Sequence, residues 1–287
     1  MCFKQNESNE VVEIMLDQKK SLCIFTHFSE LLHIPKYVLL YVNELSKYFD
    51  DVIVAANQRN FTKTQYGFNG NVTIQFFENE GYDLGLFHKV FQTVQLEKYI
   101  QIACINDSNI LFNKLKPIFE WGKNSQSDFW GLIDSNEKPW FSTHQENYHI
   151  QSHFIVFNES AIQHLPSFFE NLDIQTIVNE RDFKKLRRMV IDRWEIGISQ
   201  FLLGKGLKSD SFINSELFLK KYNRKEKNIT HSLHKELITE DYPLIKKKIV
   251  LEKSWKSLFG IKNSWEKLLA ENACYEWNIL NLINEIN

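Results

Sequence analysis

Apolar positions in the first hundred residues alternate between two periods, short continuous runs of strand length and longer stretches with helical spacing. Leu22 to Thr26 is an apolar run that ends in polar residues. Behind it, His33 to Phe49 places Val38, Tyr41, Val42, Leu45 and Phe49 on one helical face, with Pro35 suited to the helix start. Asp50 and Asp51 break that pattern before a second run at Val52 to Ala56. A third run, Val72 to Phe77, follows the polar, glycine-containing stretch 57–71. Residues 83–98 predict a helix carrying Leu84, Phe87, Val90, Phe91 and Val94 on one face. The next strand, Gln101 to Ile105, runs into Asn106-Asp107-Ser108-Asn109. Strands alternating with helices imply a parallel sheet, and such sheets bind ligands outside the carboxyl ends of their strands. That rule directs attention to Thr26, Ala56 and Asn57, Asn79, and Asn106 to Ser108.

Further along, Phe129 to Ile133 and Ile150 to Phe157 read as strands joined by a polar loop containing His144 and His149. Residues 182–204 predict a long amphipathic helix interrupted by Gly197. Residues 221–231 form a polar loop near a site or a lid, and 254–285 hold one or two helices carrying Trp255, Phe259, Trp265, Leu268, Leu269 and Trp277. The expected architecture is α/β, a Rossmann-type, mostly parallel sheet flanked by helices. A short N-terminal extension, 1–20, precedes it and a C-terminal helical extension, 253–287, follows. No internal repeat is visible.

With 287 residues and 43% apolar composition, the chain can bury one large α/β domain. A formal net charge of -2, from 34 basic and 36 acidic residues, gives no field that would draw nucleic acid, so any basic site must be local. Cys2, Cys23, Cys104 and Cys274 are far apart and show no C-x-x-C spacing, which fits a reducing cytoplasm. Glu7, Glu10, Glu13 and Asp17 make the N-terminus unlike a signal peptide. No run approaches the roughly 20 apolar residues of a membrane-spanning helix, so the expectation is a soluble or peripheral protein.

Candidate chemistry clusters at the strand ends. Asn79-Glu80-Gly81-Tyr82-Asp83-Leu84-Gly85 leaves a strand and enters a helix. It reads either as an ordinary turn with Asp83 as N-cap, or as a wall of a nucleotide site in which Asp83 binds ribose or sugar hydroxyls. No G-x-G-x-x-G or P-loop motif occurs, which argues against dinucleotide dehydrogenases and P-loop NTPases. Asp107 emerges at the rim, where Mg²⁺ or Mn²⁺ would bridge it to a diphosphate, or where it simply forms an Asx turn. Glu195, in a strongly apolar helix, is a candidate general base with a pKa raised by burial. His149 and His153, four residues apart on one strand, would share a face at roughly 13 Å, too far for one metal. His149 is therefore taken alone as a catalytic-site histidine. Lys246-Lys247-Lys248 is a solvated face or a partner for phosphate.

The ordered succession CIFTHFSE, DVIVAAN, NEGYDLG, INDSN, DFWGLIDS, HIQSHFIVF, WEIGISQFLLGKG and YPLIKKKIV, over about residues 21–252, resembles the rhamnan synthesis protein F family of bacterial polysaccharide glycosyltransferases. The resemblance implies a GT-A-like catalytic domain across that span and a UDP-, dTDP- or GDP-linked sugar donor. It also implies a lipid-linked saccharide acceptor at the inner membrane face and a surface glycan as product, with inversion of the anomeric carbon expected. By position, Thr26 and His27 would lie beside the nucleotide, and Asn79, Gly81, Asp83 and Gly85 would shape the donor pocket. Asn106, Asp107 and Ser108 would take the DxD-like place, with Asp107 as the metal ligand. His149, Gln151 and Ser152 would line the reaction cleft, with Glu195 as base and Pro243 and Lys246 at the diphosphate end. INDS lacks the second acidic residue of a DxD motif, leaving a lysine or histidine to carry part of the cation's charge. Lys253, Lys256, Lys262 and Lys267, mixed with Trp255, Phe259 and Trp265, suit either peripheral contact with an anionic membrane or docking on the domain. Two other classes compete: a noncatalytic carbohydrate- or partner-binding module on the same fold, and a nucleotidyltransferase, whose basic glycine-rich loop CIFTHFSE lacks.

Overall fold

A computed structural model describes residues 19–31, 33–57, 67–251, 264–274 and 276–284. Its strands are β1 (Lys20–His27), β2 (Asp51–Asn57), β3 (Val72–Phe77), β4 (Tyr99–Asn106), β5 (Asn109–Leu111), β6 (Phe129–Ser135), β7 (His149–Ile150), β8 (Phe154–Asn158), β9 (Ser209–Ile213) and β10 (Leu244–Lys246). The main sheet has the order β3-β2-β1-β4-β8-β6-β7, with β9 also paired to β6, while β5 and β10 form a small separate ladder. β3, β2, β1 and β4 are parallel, as the alternating pattern requires. Beyond β4, β8 is inserted antiparallel between β4 and β6, and β9 pairs parallel with β6, so four of the seven pairings in the main sheet are parallel.

Along β1 the side chains alternate between two cores. Cys23 and Phe25 face one, and Leu22 and Ile24 face the other. Because both faces are covered, the strands read as unbroken apolar runs instead of alternating ones. The first core is closed by α1 (Lys36–Leu45) and α3 (Lys116–Asn124). The second is closed by α2 (Tyr82–Phe91) and then by the succession α4 (Glu159–Ile162), α5 (Leu165–Glu170), α6 (Ile174–Asn179), α7 (Phe183–Val190) and α8 (Gly197–Gly204). The chain then returns to the first core through α9 (Ser215–Lys221), α10 (Ile229–Ser232), α11 (His234–Ile238), α12 (Lys247–Leu251), α13 (Ser264–Asn272) and α14 (Ile279–Asn284). Trp265, Leu269, Ile279 and Ile283 of the last two helices are buried in it. The apolar side of this C-terminal segment is thus covered by the domain. Lys253, Trp255, Lys256, Phe259 and Lys262 lie outside the described residues. Among the described residues no helix is long and apolar enough to cross a membrane.

Three expected elements are redrawn. The helix expected over 83–98 ends at Phe91, and only Leu96–Lys98 resumes as a 3₁₀ turn. The single strand expected over 150–157 is broken: the chain leaves the ladder at Gln151 to His153 between β7 and β8, and His149 and His153 therefore belong to different strands. Gly131 of β6 permits this close jog, since a Cβ there would lie 2.1 Å from Cγ2 of Ile150. The helix expected over 182–204 is interrupted before Gly197, by a π-helical turn at Ile191–Ile196 joining α7 to α8. Such turns rotate the following side chains relative to the helix before them.

Candidate active site

The strand order places a topological switch at β1. The chain builds β2 and β3 on one side and then crosses to β4 on the other, which opens a crevice at the carboxyl ends of β1 and β4. Thr26 and Asn106 are register partners there. Asp83, in the first turn of α2, ties the two ends together: its Oδ1 accepts from Thr26 Oγ1 at 3.2 Å and its Oδ2 from Asn106 Nδ2 at 2.6 Å. The helix N-cap is Gly81, and no side chain caps it, so Asp83 is not the cap that one reading of the turn expected. Gly81, with φ 74°, and Gly85, where a Cβ would fall 1.8 Å from the Glu80 carbonyl oxygen, fold the turn tightly. That turn holds Tyr82 at φ 49° and presents Tyr82 and Asp83 to the crevice. Burial, aided by the charge of Asp107, pushes the Asp83 carboxyl up to about 6 against its hydrogen bonds from Thr26 and Asn106.

The crevice is a cleft of about 900 Å³, at the upper end of small-molecule sites. Its far wall carries Glu195, placed by the π turn so that Trp194 packs into the second core while the neighbouring carboxylate faces the cleft. Glu195 Oε2 accepts from Ser152 Oγ at 2.6 Å, and Oε1 lies 3.5 Å from His149 Nε2. The imidazole is fixed from behind by Nδ1, which donates to the Asn147 carbonyl at 2.7 Å. Burial is the largest influence on Glu195 and would raise its pKa. The hydrogen bond and charge of His149, with the Ser152 hydroxyl, override it and hold the carboxyl down at about 2. The raised pKa expected from an apolar helix is therefore reversed. His149 moves in the complementary direction: burial alone would lower it, but Glu195 and the Asn147 carbonyl hold it above the ordinary histidine value. The two shifts together favour the imidazolium–carboxylate form of the pair.

Residues 136–147 close one edge of the cleft, presenting Glu137, Pro139 and Phe141. This loop is held by Asp192 of the π turn, which accepts from the Thr143 amide and hydroxyl, both at 2.8 Å. The cleft is also lined by cations: Lys184, Arg187 and Arg188 from α7, which runs into the π turn that carries Glu195, and Lys246 and Lys248 from the end of β10 and α12. Lys246 Nζ donates to Asn228 Oδ1 at 3.2 Å, and the Arg188 guanidinium stacks 4.8 Å from the Trp140 ring centroid.

Of the residues singled out in the sequence, Asp83, Asn106, Ser108, His149, Gln151, Ser152, Glu195 and Lys246 line this one cleft. Thr26 and His27, both buried, lie beneath the rim and hold Asp83 and Asp107. Asn79 is exposed on the loop before α2, and Gly81 and Gly85 act through the turn geometry. Pro243 is buried behind the wall, its carbonyl accepting from the Phe112 amide. Asp107 is not on the cleft surface. Its Oδ2 accepts from His27 Nδ1 at 2.7 Å and from Lys247 Nζ at 3.0 Å. Burial works against the charged form of Asp107, but these two partners keep it below the ordinary carboxylate range. The donor set at the DxD-like place thus does not fit a bridging cation: its Oδ2 is taken by His27 and by the Lys247 ammonium, and among the described residues no three His, Cys, Asp or Glu converge as metal ligands.

The α7 basic face was missed in the sequence, where the helix reads as amphipathic with a solvated polar side. Its signal is the spacing of Lys184, Arg187 and Arg188 at i, i+3 and i+4, which puts three cations on one face. Asn228 and His231, by contrast, fall in the polar segment expected near a site.

Several solved structures share parts of this architecture at low similarity. A protein from Bacillus anthracis described as a glucose-1-phosphate thymidylyltransferase, solved with sucrose, aligns with TM-score 0.42 and 11% identity over 67% of this chain and 86% of its own. A 4-diphosphocytidyl-2C-methyl-D-erythritol synthase from Anaerococcus prevotii aligns with TM-score 0.38 and 12% identity over 70% and 88%. A protein from Desulfovibrio desulfuricans described as a nucleotide-diphospho-sugar transferase aligns with TM-score 0.36 and 9% identity over 77% and 95%. No curated protein matches the sequence. The sequence family described as rhamnan synthesis protein F matches residues 52–282, well over half of the chain and nearly all of the fold after β1 and α1, and the chain belongs to that family.

Proposed function

We propose that the protein is a glycosyltransferase that moves a sugar from a nucleoside diphosphate donor to a hydroxyl of a growing surface polysaccharide. The observation that carries this reading is the meeting in one strand-end cleft of the hydrogen-bonded Glu195–His149–Ser152 set and the cations of α7 and Lys246. Displacement at an anomeric carbon needs both halves. An acceptor hydroxyl oxygen forms the new bond to that carbon and its proton passes to a carboxylate. The bond from the carbon to the β-phosphate oxygen breaks, and the electron pair leaves with the nucleoside diphosphate. Glu195 is the proton acceptor in this scheme. His149 is a positioning residue that keeps Glu195 ionised, and Gln151 and Ser152 lie on the acceptor side. Attack from the face opposite the diphosphate inverts the anomeric carbon.

With a pKa near 2, Glu195 is a weak base at equilibrium. Its role is to receive a proton late, once the hydroxyl has become acidic by bonding to carbon. Membership of the rhamnan synthesis protein F family supports polysaccharide assembly as the setting, with a lipid-linked saccharide as acceptor at the inner face of the membrane. The test is to incubate the purified protein with UDP-, dTDP- and GDP-linked hexoses and deoxyhexoses, with and without a saccharide acceptor, and to follow nucleoside diphosphate release. Release that depends on the acceptor supports the reading. Sugar binding without release from any donor would replace it with a noncatalytic carbohydrate-binding module.

A further inference from the structure

The cations around α7 fall into two classes. Lys185 pairs with Glu180 at 2.6 Å, Arg181 with Glu80 at 3.8 Å and Arg193 with Asp192 at 3.6 Å. Lys184 and Arg187, which line the cleft, have no ion-pair partner among the described residues, and Arg188 has the Trp140 ring. Cations away from the cleft are neutralised within the protein, whereas those facing it are left for something else. Lys246 lines the same cleft from the end of β10, with its ammonium hydrogen-bonded to the neutral Asn228 side chain.

The charge within the cleft is uneven. Even with Lys248 set aside, Lys184, Arg187, Arg188 and Lys246 outnumber the lining carboxylates Asp83, Glu137 and Glu195 before His149 is counted. Glu195 is bound to His149 and Ser152, and Asp83 to Thr26 and Asn106, so neither is engaged with the α7 cations. A nucleoside diphosphate sugar is a doubly anionic diester, which matches that excess. Arginine suits it further, because its planar fork grips two phosphate oxygens at once.

We infer that the α7 cations Lys184, Arg187 and Arg188, with Lys246, form a fixed clamp for the donor's diphosphate, which neutralises its charge without a metal ion held at Asp107. Two independent observations meet here: the cations Lys184 and Arg187, without ion-pair partners among the described residues, and an acidic oxygen at the DxD-like place already shared by His27 and Lys247. The pKa of Lys246 is depressed chiefly by burial; the Glu195 and Glu137 charges raise it, while the neighbouring Arg187 and Lys248 charges repel it. A bound anion would relieve that repulsion. As the glycosidic bond breaks, negative charge accumulates on the departing diphosphate, and preplaced cations stabilise it with no reorganisation.

This inference rests on the donor-transfer reading of the same cleft, and the two can fail separately. The experiment is calorimetric titration of the full-length protein with UDP, dTDP and GDP in excess chelator, repeated with Mg²⁺ and with Mn²⁺. The clamp requires that at least one nucleotide binds in chelator and that added metal changes its Kd by less than about threefold. Losing a charge-assisted phosphate contact should weaken binding roughly tenfold or more in Arg187→Ala and in Lys246→Ala. Lys185→Ala, whose side chain is paired with Glu180, should bind as wild type. Arg187 is exposed, so its variant should keep the wild-type melting curve even if Lys246→Ala does not fold. Binding that requires the cation, or unchanged affinity in Arg187→Ala, overturns the clamp while leaving transfer intact. Metal-independent binding with no turnover of any donor keeps the clamp and overturns the transfer reading, and no binding under any condition overturns both.

Discussion

Asp107, buried, and Glu195, half-buried, are each paired to a histidine at a strand end and each held below its ordinary pKa, yet they meet different surroundings. Asp107 follows β4 and is sealed under α12 by His27 and Lys247, whose ammonium also lies 5.6 Å from the Tyr37 ring. Glu195 sits on the π turn and opens onto the cleft, with Ser152 and His149 as its partners. Charge state does not separate them, since hydrogen bonds and opposite charges overcome burial in both. Backbone geometry does: the turn after β4 is roofed by the β5–β10 ladder, whereas the π turn rotates Glu195 away from the aromatic core that takes Trp194. A paired buried acid becomes a candidate for chemistry only where the chain also gives it access.

The sharpest way to break this contrast is Glu195→Gln. Loss of the proton acceptor should lower kcat by about a hundredfold to ten-thousandfold while circular dichroism stays unchanged. In the same variant the His149 imidazole loses the neighbour that raises its pKa. Its NMR titration midpoint should fall, with burial now opposed only by the Asn147 carbonyl and the Glu137 charge. Full activity in Glu195→Gln would remove the residue from the mechanism.

Asp107→Asn should show the reverse profile. Removing one member of a buried ion pair leaves His27 and Lys247 uncompensated, a cost of about 3–5 kcal/mol by denaturant unfolding, with nucleotide affinity in chelator retained. Asp107 has a folded-state pKa below its unfolded value, so its contribution is present above the unfolded pKa and is lost as pH falls through the folded one. The gap between variant and wild type should therefore close in acid. A variant with wild-type stability and no turnover would make Asp107 the chemical residue and invert the comparison.

Asp83 lies between the two cases, partly accessible and bonded to both strand ends. Its pKa is raised from 3.8 to about 6, so its contribution is fully present below the unfolded value and is lost as pH rises through 6. Wild-type stability should drop by about 2 kcal/mol relative to Asp83→Asn between about pH 4 and pH 7. Parallel pH–stability curves for the two proteins would show that Asp83 titrates normally.

How much of this was legible in the sequence follows from the range of each interaction. Period and punctuation located β1 to β4 and α1 because local apolar spacing decides them, and β3 coincides with Val72 to Phe77. The break between β7 and β8 was not legible, since it depends on the missing side chain of Gly131 on a neighbouring strand. Polar residues at strand ends led correctly to Asn106, Gln151, Ser152 and Lys246 on the cleft wall. The direction of the Glu195 shift was missed because its partners lie 43 and 46 positions away, and only the fold brings them within reach. The cover over Asp107 has the same origin: Lys247 is 140 positions distant, so a residue at the rim in sequence terms is covered in space.

His153 supplies the smallest and most discriminating test. Unlike Asp107 it lines the cleft, and unlike His149 it has no carboxylate partner within hydrogen-bonding distance. Its Nε2 shares a 2.7 Å bond with the Tyr242 hydroxyl, and its backbone carbonyl accepts from the Asn106 amide. Burial, reinforced by the Lys246 charge, pushes its pKa down to about 3, so it is neutral wherever the protein works. If access and charge are both required for chemistry, His153 has only the first and should be structural. Tyr242→Phe would strand Nε2 in a buried site and should cost about 1–2 kcal/mol of stability with kcat within a few-fold of wild type. That cost should be constant above about pH 7, where the unfolded-state histidine is neutral as well. A large fall in kcat with an altered pH–rate profile and little loss of stability would place His153 beside His149 in the chemistry, and access alone would then be the criterion.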